Sequence, residues 1–404
     1  MTNRAARVET WLDERAEEMA CLLGRLVAVD SENPPGRGLG RCARILHEAM
    51  DRLGLSPETI GVPDPSGRLE DPCVVRGTVG EGGPVLYFHG HFDVVPAQSR
   101  DQFTPVRRDG RIVGRGTADM KGGVVAMLYG AAAAGELGLI GTGRIVVHLV
   151  CDEETGSVLG AGHLRDAGLV EPSALAMITA EPSGGVVWNA ARGALSLRVE
   201  VRGREAHVGQ ADRGVNAFRH MLHVARRVER HAEEMAGRHT AFPMNAEDAR
   251  GNMLVVGGLS GSGSSFNVVP GSAFFTVDGR YNPEEDLDAE LRRLTRVVED
   301  AAREIGAEVS VRTTQSQPSA GTRRDHPAAV ALARVVADLH GAPARFEMCP
   351  GILETRWYAQ LGIPAFGYGP GLLEVSHGPG EYVDEAAVRR CAAVHALYAG
   401  AMLP

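Results

Sequence analysis

Two short apolar runs constrain this chain most: VLYF at 85–88, which leads straight into HGHFDVVP, and IVVHLV at 145–150. Runs this brief and unbroken, rich in β-branched residues, mark strands covered on both faces. Between them MKGGVVAMLYGAAAAGELG is rich in small residues and helical in length, and SALAMITA forms a further strand ending at Glu181. The rhythm is βαβ, which predicts a mostly parallel sheet with helices over it.

From about Arg192 the texture changes. GALSLRVEVRG alternates, VNAFRHMLHVARRVERHAEEM is a long amphipathic helix, and NMLVVGGLSG and SSFNVVPGSAFFTVDGRY are strands around a Gly/Ser-rich turn. DLDAELRRLTRVVEDAAREIG adds a second helix and AEVSVRTTQ a last strand. This order, βαββαβ, describes a ferredoxin-like α+β unit. After Gly321, PAAVALARVVADLHG and IPAFGYGPG resume the first rhythm. The expected architecture is an α/β domain (1–188 and 317–404) interrupted by a smaller inserted domain (189–316).

The formal charge of −9 argues against nucleic acid and against an anionic membrane surface. No apolar run approaches the roughly 18 to 20 residues of a membrane span, and the charged N-terminus lacks a signal-peptide core, so a cytoplasmic location is the default expectation. Six scattered cysteines without a C-x-x-C pair read as small buried hydrophobes. Of 42 basic residues only Lys121 is lysine. The arginine bias fits a GC-rich coding sequence. The exception sits in GRGTADMKGG, where an arginine fork would crowd a Gly-flanked turn.

In open parallel sheets ligands gather at the carboxyl ends of strands. Acid and histidine clusters fall at such ends: His89, His91 and Asp93; Asp119; Asp152, Glu153 and Glu154; Glu181; and, further on, His377 with Glu381. Singly, each is more often a structural histidine or a helix cap than a functional group. Together, so many carboxylates in one crevice would repel one another and take up protons, a conflict that a bound cation removes. Imidazole and carboxylate without thiolate suit Zn²⁺, with Co²⁺ or Mn²⁺ as substitutes. The surplus of carboxylates points to two ions sharing an aspartate.

The ordered strings HGHFDVVP, GRGTADMKGG, CDEETGS, EPSG and SHGPGEYV resemble the signatures of the M20 metallopeptidases, over about Leu26 to Val383. The resemblance implies a zinc-peptidase-like catalytic domain with an inserted lid and dimerisation domain. It implies one Zn²⁺ held by His91, Asp119 and Glu181 and another by Asp119, Glu154 and His377. Asp93 would orient His91. Glu153 would act as general base, taking a proton from a bridging water and passing it to the leaving amine. His89 would be structural. In REAHVG, His207 would reach the partner subunit's site in a homodimer and stabilise the oxyanion. Asn267, Arg280 and Arg356 would bind a substrate carboxylate.

Family members often have aspartate where Glu354 stands and asparagine where Gly380 stands, and SENPPGRG near Ser31 gives no specificity reading. The expected activity is hydrolysis of the amide of an N-acyl amino acid, as in acetylornithine deacetylase or succinyl-diaminopimelate desuccinylase. The alternative is a dipeptidase or carboxypeptidase. A non-catalytic binding protein would have lost a ligand or the base, and none is missing.

Overall fold

The computed structural model describes residues 2–245 and 249–404. The chain divides into two compact units, Met1–Asn189 with Gly321–Glu347 and Glu354–Pro404, and Ala190–Ala320 with Met348–Leu353.

The first unit is built on a nine-stranded mixed sheet. Its strands include β1 (Glu58–Gly61), β2 (Cys73–Glu81), β3 (Val85–His91), β4 (Gly143–Val150) and β5 (Ala176–Thr179). They lie in the order β1-β2-β4-β3-β5, followed by the returning strand Ala365–Gly367. β3 is parallel to β4 and β5, and β5 to Ala365–Gly367. Every residue of β3 and of β5 is buried, as the unbroken apolar runs require. The antiparallel edge formed by β1 and β2 was not evident in the sequence: Gly77 and Gly80 interrupt CVVRGTVGE, and its last residues are exposed.

The helix Gly122–Glu136 is buried along nearly its whole length and packs on the C-terminal helix Glu385–Met402. Small residues set that close approach. A Cβ on Gly130 would stand 2.8 Å from His395 Cβ and 2.9 Å from Ala392 O, so a larger residue there would push the helices apart. Of the six cysteines five are buried; Cys21 is exposed, against expectation, because it faces outward on the helix Ala16–Val27.

In the second unit β6 (Gly193–Arg202), β7 (Met253–Ser262), β8 (Ser272–Tyr281) and β9 (Glu308–Gln317) form an antiparallel sheet in the order β7-β8-β6-β9. The helices Ala217–Ala236 and Leu287–Glu304 turn one face toward it. Met221, Val224, Val228 and Met235, spaced for one helix stripe, pack with Leu195, Leu197, Val199 and Val201 of β6. Asn216 and Asp286 cap the two helices by accepting from the backbone N–H groups of Arg219, and of Asp288 and Ala289. This is the ferredoxin-like arrangement expected. Among the described residues no helix is long and apolar enough to cross a membrane.

Candidate metal centre

β3 delivers His91 to its carboxyl end, fully buried. The ring Nδ1 lies 3.0 Å from the Asp93 carbonyl oxygen and 3.3 Å from Asp93 Oδ1. With Nδ1 engaged there, Nε2 faces the other way. On that side Nε2 lies 3.2 Å from Asp119 Oδ1 and 3.8 Å from Glu181 Oε1. The second oxygen of Asp119, Oδ2, lies 3.3 Å from His377 Nε2, which is 3.6 Å from Glu154 Oε1. Two sets of donor atoms result, His91–Asp119–Glu181 and Asp119–Glu154–His377, each with its atoms within 4.8 Å of one another. Asp119 belongs to both.

Local backbone makes this possible. Gly116 sits at φ +82, where a Cβ would also approach Val94 Cγ1 to 2.5 Å, and the chain leaves it irregularly to present Asp119 before the helix at Gly122 begins. His377 itself adopts φ +63. Asp93 does more than face His91. Its carboxylate accepts from Asn33 Nδ2 at 2.9 Å and from the backbone N–H groups of Glu153 and Glu154, each at 3.2 Å. It thus fixes the turn after β4 that carries both glutamates.

The donor set fits a cation. Burial raises the Glu181 carboxyl well above its usual range, and Asp119 adds to the effect; burial also raises Glu154. Glu181 Oε1 is buried without a hydrogen-bond donor among the described residues. Burial pushes Asp119 upward too, but the hydrogen bonds of His377 and His91 outweigh it and hold it ionised. His377, beside Asp119 and Glu154, is pushed up to about 10. Clustered carboxylates that otherwise need protons to coexist are the situation a divalent ion relieves.

Glu153 belongs to neither set. Burial raises its carboxyl well above the ordinary range, with Glu154 and Glu354 adding to the rise against the pull of His91. Arg356 is buried and donates from Nη2 to Gly156 O at 3.0 Å, inside the turn that carries Glu153. His207, Asn267 and Arg280 lie in the second unit. His207 is exposed, and its Nδ1 accepts from Gly209 N–H at 3.1 Å. Its neutral ring therefore carries the proton on Nε2. Arg280 Nη1 pairs with Asp278 at 3.0 Å, and Asn267 Oδ1 accepts from Ser265 Oγ at 2.8 Å.

Several polar side chains given no part in catalysis by the sequence surround the first unit's site. Asn33 joins Asp93 to Asp152 and Thr155. His89 is tied to Glu354 and to Tyr358. Lys121 is buried, its Nζ donating to Leu26 O at 2.9 Å and Val29 O at 3.2 Å. Lys121 thus extends a slender stem to two carbonyls at the end of the helix Ala16–Val27, Leu26 in its last turn and Val29 just beyond it. The only visible hint for Asn33 was its place before two prolines.

The sequence matches the description Peptidase family M20/M25/M40 over residues 87–401. It is 31% identical to the acetylornithine deacetylase of Myxococcus xanthus over 356 residues, 85% of this chain and 87% of that one. It is 29% identical to a succinyl-diaminopimelate desuccinylase of Stenotrophomonas maltophilia (strain R551-3), over 67% of this chain and 70% of that one. The fold is similar to that of aminopeptidase PepT from Bacillus cereus ATCC 10987, with a TM-score of 0.76, 21% identity, and 96% and 99% of the two chains covered. The chain therefore belongs to peptidase family M20/M25/M40 and is a hydrolase of amide bonds.

Proposed function

We propose that the protein is a dinuclear zinc-dependent deacylase that hydrolyses the amide of an N-acyl amino acid. The observation that carries this reading is the pair of donor sets sharing Asp119, with half-buried Glu153 beside them and part of neither. His91, Asp119 and Glu181 would hold one ion, and Asp119, Glu154 and His377 the other. Imidazole and carboxylate donors without thiolate favour Zn²⁺ over softer metals. Bound divalent ions supply Lewis acidity, which polarises an amide carbonyl and lowers the pKa of a water.

The remaining work belongs to side chains. Glu153, with a carboxyl already biased toward holding a proton, takes one from the attacking water and delivers it to the leaving nitrogen. Asp93 keeps the His91 proton on Nδ1 and the Glu153–Glu154 backbone in place. His207, whose neutral ring carries its proton on Nε2, donates to the oxyanion of the tetrahedral intermediate. Arg280, Asn267 and Arg356 bind the free carboxylate of the substrate, arginine through its planar fork. We further propose a homodimer formed through the inserted domain, in which His207 serves the partner's site.

The likeness to the Myxococcus xanthus acetylornithine deacetylase supports an acyl-amino acid as substrate. The test is an assay of metal-free and Zn²⁺-loaded protein against N-acetyl amino acids, N-succinyl amino acids and dipeptides. Zn²⁺-dependent release of amine from an acyl-amino acid is expected. Release from dipeptides alone would replace the deacylase reading with a peptidase.

A further inference from the structure

We propose that the buried ion pair of Arg115 and Glu381 is a positioning device that holds the backbone of Asp119 and of His377, and so sets the geometry of the ligand set Asp119–Glu154–His377. The inference rests on the metal-centre reading above. Neither residue offers an atom to the metal.

The pair joins two stretches far apart in sequence. Tyr382–Asp384 runs antiparallel to Arg111–Val113, and Gly114 N–H donates to Glu381 O at 2.9 Å. This brings the two side chains together, each almost wholly removed from solvent. One oxygen of Glu381 accepts from the backbone N–H groups of Ala118 at 3.0 Å and Asp119 at 3.1 Å. The other accepts from Arg115 Nη1 at 2.6 Å. Arg115 Nη2 then donates to His377 O at 3.1 Å and to Gln98 Oε1 at 2.8 Å. Gln98 Nε2 donates to the same His377 carbonyl at 2.8 Å.

The two backbone sites are the ones that need support. His377 stands in the left-handed region at φ +63, a conformation that costs a non-glycine residue free energy and persists only when its surroundings impose it. Asp119 lies in the irregular turn that precedes the helix at Gly122. A charged pair is an expensive way to fill a core, since apolar residues of similar volume are often as stabilising. A planar fork, however, can hold a carboxylate and a carbonyl at once, and a carboxylate can receive two adjacent N–H groups. That connectivity, not bulk, is what the pair contributes.

The test uses Co²⁺ added to metal-free protein, read by calorimetry and by the visible absorption of the bound ion. Wild type should bind two Co²⁺. Arg115→Lys keeps the charge but cannot reach both Glu381 and His377 O. The folded variant should bind one Co²⁺ about 10- to 100-fold more weakly than wild type, with an altered spectrum, while the other Co²⁺ binds as in wild type. Wild-type affinity and spectrum in folded Arg115→Lys would overturn the inference. If that variant fails to fold, exposed Gln98→Ala decides: a few-fold loss at one site is expected, and no change overturns it. Wild type that binds no Co²⁺ would instead sink the metal-centre reading itself.

Discussion

His89 Nε2 lies 2.7 Å from Glu354 Oε2, with both side chains wholly buried. Ser157 Oγ bonds the other oxygen of Glu354, and Tyr358 OH bridges His89 and His148. Glu354 thus ties β3, two residues before His91, to the segment that follows Glu153 and Glu154. Burial alone would raise the Glu354 carboxyl, but the charge and hydrogen bond of His89 outweigh it and hold it at about 2, against an ordinary 4.5. The sign follows: a depressed folded value adds stability that is complete above about pH 4.5 and is lost as pH falls toward 2.

Glu354→Gln should therefore cost about 3–5 kcal/mol, the usual loss when one partner of a buried pair is removed. Urea unfolding of the two proteins at pH 7 measures it. Repeating the titrations at successively lower pH below 4.5 should show the difference shrinking. A gap that stays constant over that range would mean Glu354 is not ionised in the fold.

Lys121 gives a second prediction. It is the single lysine of the chain and is wholly buried. An amine-reactive reagent should leave it unmodified in the native protein and label it in urea, as peptide mass spectrometry would show. Lys121→Met should cost about 1–3 kcal/mol, because the carbonyls of Leu26 and Val29 lose a charged donor in a dry site. Lys121→Arg should also destabilise, since the added planar group must fit where a single nitrogen does.

How much of this could be read from the sequence depended on range. VLYF and IVVHLV told their own story, because a strand covered on both faces must be apolar throughout, and the alternation in GALSLRVEVRG did the same for β6. The donor residues His91, Glu154 and Glu181 could be gathered because parallel strands end at one edge, whereas Asp119 comes from the irregular turn before the helix at Gly122. Asn33, Arg115 and Glu354 could not be given their partners. Each meets a group at least 60 residues away, as Asn33 meets Asp93 and Glu354 meets His89, and in its own segment each looks like any polar residue of a loop. Periodicity records which face of an element is buried. It carries nothing about which buried polar groups satisfy one another.

Glu153 supplies a third prediction. Glu153→Gln keeps the size of the side chain and leaves both donor sets intact, so metal content measured by atomic emission should equal that of wild type. Turnover should fall by about 10²- to 10⁴-fold, the usual contribution of a positioned proton carrier. Substrate KM should change little, because in the proposed role the carboxyl acts on the water and the leaving nitrogen and not on substrate binding. Unchanged turnover would remove Glu153 from the reaction.

His207 supplies the last, and its hydrogen bond sharpens it. Gly209 N–H occupies Nδ1, so only Nε2–H is available to donate. A donor that meets charge only as the oxyanion develops lowers kcat on removal and leaves KM near wild type. His207→Ala should therefore reduce kcat by about 10²- to 10³-fold, as loss of one oxyanion donor does. His207→Gln, whose amide N–H₂ can stand in for Nε2–H, should recover part of that loss, whereas His207→Glu, an acceptor at neutral pH, should recover none. Mixing inactive Glu153→Gln with inactive His207→Ala then separates the two arrangements. If the histidine serves the partner's site, mixed dimers contain one site with both groups intact and regain activity. If each chain uses its own histidine, every site in the mixture lacks one group and activity stays at the level of the parents.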